Sequence, residues 1–245
     1  KADLTRSGVH PGPGPLKPPV PVWEAELGCS TGSRTGAIAT SLLLIGCDAS
    51  RLTALDASTG SVAWTADLDS SVQNAPTIAD GAVYVATAGG SVISLDLLTG
   101  TERWSVAVAS LIEPVLADGI LYVGTEDGRI LGLDPATGET TWTWTEPAGT
   151  AVGRFTVVGD TAFVGVEDGT LRAVALADGQ ERWRFRVRSG GVSTTAITDD
   201  TVYVGSRQCC QEPQGELYAL DRGTCPERWR VRTEDGNQVA PPTTI

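Results

Sequence analysis

The chain has 245 residues, of which 41% are hydrophobic, and a formal net charge of -12. That is enough apolar material for a sizeable core, and it excludes a disordered tail. No apolar run approaches the roughly 18 residues of a membrane span, and the acidic balance excludes non-specific nucleic-acid binding, because phosphate contacts need clustered Lys and Arg. Lys occurs only at Lys1 and Lys17 and Met is absent, so the expectation is a processed chain or an excised piece.

The first 21 residues are rich in Pro and Gly and hold the single histidine, His10. They read as a lead-in or linker, with Pro11–Pro21 semi-rigid and extended. Residues 22–245 read as one repeat array. Val22–Leu27, carrying Trp23, has the pattern of a last strand without the rest of its unit. Five units then end at Trp64, Trp104, Trp142, Trp183 and Trp229. Subtracting successive positions from Trp23 gives spacings of 41, 40, 38, 41 and 46.

Each unit shows an initial short run (APTIAD at Ala75–Asp80, EPVLAD at Glu113–Asp118), a β-rich run closed by a Gly-containing turn, a third run ending in Asp and a fourth carrying Trp. Four antiparallel strands every forty residues or so describe a β-propeller blade. The prediction is an all-β propeller of four-stranded antiparallel blades, five of them complete, with partial strands at the two ends. Gln238–Ile245 has the pattern of a first strand only. Either the natural protein continues with further blades, or the terminal strands pair with another chain; continuation is the expectation, since an uncovered edge invites aggregation.

The phrase between the third and fourth strands recurs as ALDASTGSVAW, SLDLLTGTERW and GLDPATGETTW, with blurred copies AVALADGQERW and ALDRGTCPERW. Asp56, Asp96, Asp134 and Asp221 occupy one turn position in their units and are expected to cap turn amides. Gly60, Gly100 and Gly138 are expected to supply left-handed backbone at the end of the turn. The Trp after this turn is expected to be buried where blade packs on blade, worth at most about 4–6 kcal/mol of apolar burial. Trp64, Trp104, Trp142, Trp183 and Trp229 are thus read as blade clips. The fourth clip, with Ala175 at the Asp position and Asp178 at the Thr position, is expected to be looser.

AxDxxTGxxxW resembles the tryptophan-docking motif of the quinoprotein, or PQQ-like, propellers. That superfamily includes PQQ-dependent alcohol dehydrogenases, the outer-membrane assembly lipoprotein BamB and extracytoplasmic sensor domains of bacterial Ser/Thr kinases. Among these branches the chain is most similar to the non-enzymatic BamB-like or surface-sensor ones. The resemblance implies a dehydrogenase only with eight blades, a calcium site and a quinone cofactor; no cofactor, metal or catalytic residue is expected here. His10 has no fixed partner for a triad or zinc site, and CxxCH is missing.

Of the five cysteines, Cys209 and Cys210 fall in an insertion, SRQCCQEPQG, where other units have a short turn. Meander topology places Cys29, Cys47, Cys209 and Cys210 on one face and Cys225 on the other. The expected bridges are Cys29–Cys47 and a vicinal Cys209–Cys210, with Cys225 unpaired or bonded to a partner; the alternative is five reduced thiols. Bridges imply an oxidising compartment, hence an extracytoplasmic location.

Two arginine rows stand out, Arg182, Arg184 and Arg186 in RWRFRVR and Arg228, Arg230 and Arg232 in RWRVR. Alternation puts each row on one face of an outer strand, as edge protection or as a cationic patch. The expected role is a non-catalytic scaffold for a protein partner or sister subunit, with a surface glycan as a further ligand. The alternatives are the sensor domain of a larger receptor and a fragment of a PQQ-dependent dehydrogenase.

Overall fold

The computed structural model describes residues 21–27, 36–47, 50–72, 74–109, 112–188, 190–206 and 215–232. The expected lead-in, with His10, lies outside them except for Pro21, as does the expected first strand at Gln238–Ile245.

Among the described residues the secondary structure is entirely β, arranged in five four-stranded antiparallel sheets. Blade one is β1 (Ala37–Ala39), β2 (Leu42–Cys47), β3 (Arg51–Asp56) and β4 (Val62–Asp67). Blade two is β5 (Thr77–Ala79), β6 (Ala82–Ala86), β7 (Ser91–Asp96) and β8 (Glu102–Ala107). Blade three is β9 (Val115–Ala117), β10 (Ile120–Gly124), β11 (Arg129–Leu133) and β12 (Thr140–Thr145). Blade four is β13 (Val152–Val158), β14 (Thr161–Val166), β15 (Thr170–Ala175) and β16 (Glu181–Arg186). Blade five is β17 (Val192–Ile197), β18 (Thr201–Ser206), β19 (Glu216–Asp221) and β20 (Glu227–Arg232). Each blade is a meander in sequence order, which is the expected propeller fold. No helix of the described residues is long and apolar enough to cross a membrane.

The residues divide into two compact units. One takes in the residues up to Val123 together with Leu133–Thr141, and the other takes in Gly124–Gly132 and the residues from Trp142 onward. The strands of blade three are shared between the two. In the first unit the core joins Leu42, Leu44, Leu52, Ala54 and Trp64 of blade one to Val83, Val85, Ile93 and Leu95 of blade two. In the second, Phe163, Leu171, Ala173 and Trp183 of blade four meet Val202, Val204, Tyr218 and Leu220 of blade five. The third strands are buried at successive positions rather than at alternate ones, as are second strands such as β6 and β14, whereas the fourth strands are mostly exposed apart from their indole positions.

Two irregularities of the strands shape the turns and loop ends of the blades. In blades one, two, four and five the ladder shifts by one residue just after the residue paired with Trp: Ala54/Leu55, Ser94/Leu95, Ala173/Val174 and Ala219/Leu220. The first strands of blades four and five are long and bulged, at Val152/Phe155 and Val192/Thr195, whereas those of blades one to three have three residues. A bulge bends its strand and re-aims side chains at the strand end.

Candidate interaction surface

At the recurring turns, Asp56 Oδ1 accepts from the amides of Ser58 and Thr59, both at 2.9 Å. Asp96 does the same for Leu98 and Thr99, Asp134 for Ala136 and Thr137, and Asp221 for Gly223 and Thr224. Each carboxylate is spent on its own turn. Arg103 and the Thr99 amide hold Asp96 down to about 2, and Arg228 with Thr224 does so for Asp221.

Gly60, Gly100 and Gly138 all have φ between +72° and +76°, and an added Cβ would lie 2.5–2.7 Å from Trp23, Trp64 and Trp104 respectively. Each indole also donates from Nε1 to the carbonyl one residue after the Asp: Trp23 to Ala57 at 2.9 Å, Trp64 to Leu97 at 3.0 Å and Trp104 to Pro135 at 3.0 Å. Trp183 donates likewise to Arg222 at 2.9 Å. There Cys225 takes the Gly position with φ +73°, and burial first, then Asp221, pushes its thiol up to about 11. Cys225 is a free thiol. Cys47 closes β2, and Cys29, Cys209 and Cys210 lie outside the described residues, as do the bridges expected of them.

Two clips differ from expectation. In β12 the buried indole is Trp144, set against Gly179 at 3.3 Å from an added Cβ, while Trp142 is half-buried. Without the Asp and Thr side chains of the motif, the blade-four turn is closed by its backbone, Gly179 N–H to Ala175 O at 2.9 Å, and by Asp178 on the Gln180 amide. Trp229 is not buried; it is 44% exposed, its ring tilted against Tyr203 but with no described turn across it.

The arginine rows are also corrected. Arg182 pairs with Asp160 at 2.5 Å, Arg184 with Glu181 at 3.6 Å, Arg228 with Asp200 and Asp221 at 2.8 Å, Arg230 with Glu227 at 3.9 Å and Arg232 with Glu216 at 2.9 Å. Carboxylates from turns and neighbouring strands neutralise what the alternation suggested was an open cationic face. Arg186 has no ion pair among the described residues, and neither does Arg188.

These two arginines meet at a cleft of about 550 Å³ between blades four and five, lined also by Glu167, Asp168 and Val192. Gly153, Gly165, Gly190 and Gly191 are in its lining. At its margin an added Cβ at Gly169 would stand 2.6 Å from the Gly190 carbonyl, so two backbones approach there where a side chain cannot fit. Asp168 accepts from the Thr170 amide at 2.8 Å, which fixes its carboxylate in the lining beside the two guanidinium groups.

Beneath the cleft, the Arg188 amide donates to the Tyr218 hydroxyl at 3.2 Å, Tyr218 donates to Glu216, and Glu216 accepts from Arg232. Burial, with Glu216 as acceptor, pushes Tyr218 up to about 12. Burial also raises Glu216, but the Tyr218 and Arg232 hydrogen bonds together outweigh it and hold the carboxyl below its ordinary value. A fixed polar floor therefore sets the loop that carries Arg188. Sequence reading missed this floor, although a Glu and a Tyr two apart at the start of a blade's third strand occur in no other unit.

A family profile described as outer membrane protein assembly factor BamB matches residues 20–150 and 108–240. The chain belongs to the BamB family. The crystal structure of BamB from Moraxella catarrhalis is 29% identical to this BamB-family chain, with a TM-score of 0.64 over 78% of the chain and 58% of that protein. The computationally designed Ika8 protein has a TM-score of 0.70 at 19% identity, covering 82% of this chain and 62% of its own. A europium-containing methanol dehydrogenase has 0.67 at 15% identity, covering 82% and 52%. The last two share the fold alone. The chain thus spans less than two thirds of the length of each of these structures, and no curated protein matches it in sequence.

Proposed function

We propose that this chain is a non-catalytic, extracytoplasmic propeller that serves as a protein-interaction or assembly scaffold. Membership of the BamB family supports an assembly role. The observation that carries the reading is the cleft between blades four and five, lined by Gly153, Gly165, Gly190 and Gly191, where Arg186 and Arg188 make no ion pair among the described residues. A preformed groove on a rigid β scaffold, with Glu167 and Asp168 set beside Arg186 and Arg188, suits an extended protein segment that carries charges of both signs.

The test is cross-linking of the tagged protein to its extracytoplasmic neighbours in the native cell, followed by the same experiment with Arg186→Glu plus Arg188→Glu. The expected result is loss of a specific adduct in the double variant with unchanged thermal stability. Adducts that persist undiminished overturn the assignment to this cleft. Dye-linked alcohol oxidation after addition of pyrroloquinoline quinone and a metal ion would overturn the non-catalytic reading.

A further inference from the structure

Tyr218 serves the boundary of blades four and five in two ways, and only one of them is apolar. By strand register it stands where Ile93 stands in blade two, opposite Arg230 as Ile93 is opposite Ser105. Its ring shares a core with Val187, as Ile93 shares one with Leu68, and it meets Phe185 edge-on with centroids 5.1 Å apart. An aliphatic side chain fills that place in blade two, so packing accounts for the ring but not for the hydroxyl. Though Tyr218 is wholly buried, its hydroxyl is bonded twice: it accepts from the Arg188 amide at 3.2 Å and donates to Glu216. Glu216, also buried, is fixed in turn by Arg232 at 2.9 Å and by its own amide, which donates to Ser206 Oγ at 2.9 Å.

The boundary of blades one and two joins the same two places differently. Asp69 follows Leu68 as Arg188 follows Val187, and Ser91 opens β7 as Glu216 opens β19. There the tie runs from side chain to side chain, with Ser91 Oγ donating to Asp69 Oδ2 at 2.5 Å, so Asp69 spends its charged group on its own boundary. At blades four and five the tie takes the backbone N–H of Arg188 instead, and the guanidinium is left to line the cleft. Arg188 also lies past the end of the ladder: Arg186 is the last residue of β16 to pair, opposite Thr170, and the Val187 amide closes on Gly169 O.

We infer that Tyr218 and Glu216 are positioning residues of the cleft: they hold the Arg188 main chain, so that its guanidinium is presented to a bound segment instead of being consumed by the fold. The inference rests on the reading of the cleft as the interaction site. A buried hydroxyl and carboxylate are costly unless both are satisfied, and here the Arg188 amide and Arg232 complete the set, which makes the pair and the segment one unit. An arm fixed before its partner arrives loses less conformational freedom on binding.

Hydrogen exchange followed by NMR at the Arg188 and Val187 amides of the full chain tests this tie without any ligand. The first variant is Tyr218→Phe, which keeps the ring and its contact with Phe185. The second is Tyr218→Phe plus Glu216→Leu, because replacing both ends of a buried hydrogen bond by apolar groups is nearly neutral for folding. In both, the Arg188 amide is expected to exchange about tenfold faster or more, while the Val187 amide, bonded to Gly169 O, is unchanged. A general loss of stability would speed the two amides together. The cross-linked adduct that Arg186→Glu plus Arg188→Glu abolishes is expected to fall several-fold in both variants, with the arginines intact. Unchanged Arg188 exchange, or an adduct undiminished in these variants yet abolished by the arginine reversal, overturns the inference and leaves the cleft reading standing. An adduct that survives the arginine reversal overturns the cleft reading, and the positioning role with it.

Discussion

The Glu146–Arg172 pair invites a quantitative test. Glu146 N–H donates to Gly128 O just as Leu68 donates to Ser50, Val108 to Gly90 and Val187 to Gly169, so Glu146 occupies a place that is apolar elsewhere. Arg172 pairs across the ladder with Arg184 as Ile93 does with Ser105 and Tyr218 with Arg230. Where other boundaries bring together Leu68 with Ile93 and Val187 with Tyr218, this one has a carboxylate and a guanidinium 2.6 Å apart, with side chains 0% and 8% exposed. The Ala148 and Thr150 amides complete the Glu146 shell, and Glu181 takes the second Arg172 nitrogen, while Arg172 Nε is buried without a partner.

Removing one member leaves the other charge buried. Glu146→Val or Arg172→Tyr alone is therefore expected to cost about 3–5 kcal/mol, and the double change, which copies the blade four–five boundary, to be neutral or stabilising by about 1–4 kcal/mol. Against a total stability of about 5–15 kcal/mol, each single change should lower the melting temperature by about 6–20 °C. Urea and thermal unfolding of the four proteins as a double-mutant cycle measures the coupling. A double variant as unstable as the sum of its singles would refute the view that this boundary is an apolar site occupied by charge.

The turns and their neighbours give two further expected outcomes. Ser94 is fully buried opposite Trp104 with its Oγ unpaired, at a place held by Ala54, Ala173 and Ala219 in other blades, so Ser94→Ala is expected to stabilise by about 1 kcal/mol in urea unfolding. Asp96 and Asp221 fall from an ordinary value of 3.8 to about 2 on folding, so their contribution is fully present above about pH 4 and lost as pH falls toward 2. An acid titration should show this, and Arg103→Leu should move the acid midpoint upward.

The blades were legible because most of them meet the same local demands: an Asp for the turn amides at Asp56, Asp96, Asp134 and Asp221, a left-handed residue that is usually Gly, and an indole with an acceptor one residue past the next Asp. Features that depend on contacts between units were not. Alternation placed the arginines on one face, but their partners Asp160 and Asp200 arrive from turns more than twenty residues away, so neutralisation was invisible. Trp142 and Trp144 share one face of β12, and only packing against Gly179 distinguishes them. Trp229 follows a copy of the motif that departs only at Cys225, yet a motif describes the donor side of a contact and says nothing of the receiver. Glu146 did leave a trace, a carboxylate where the aligned copies have Leu or Val.

Cys225 offers a native chemical clock. With burial pushing its thiol up to about 11, the reactive thiolate is a small minority at neutral pH. The sulfur lies 3.6 Å from the Arg184 carbonyl, beside the turn that holds Trp183. Its alkylation, followed by peptide mapping, should be slow in the packed state and quicken whenever blade five lifts from blade four. A single sulfur standing where the repeat calls for glycine thus makes the opening of one blade boundary readable as a reaction rate at a native residue, with no substitution needed.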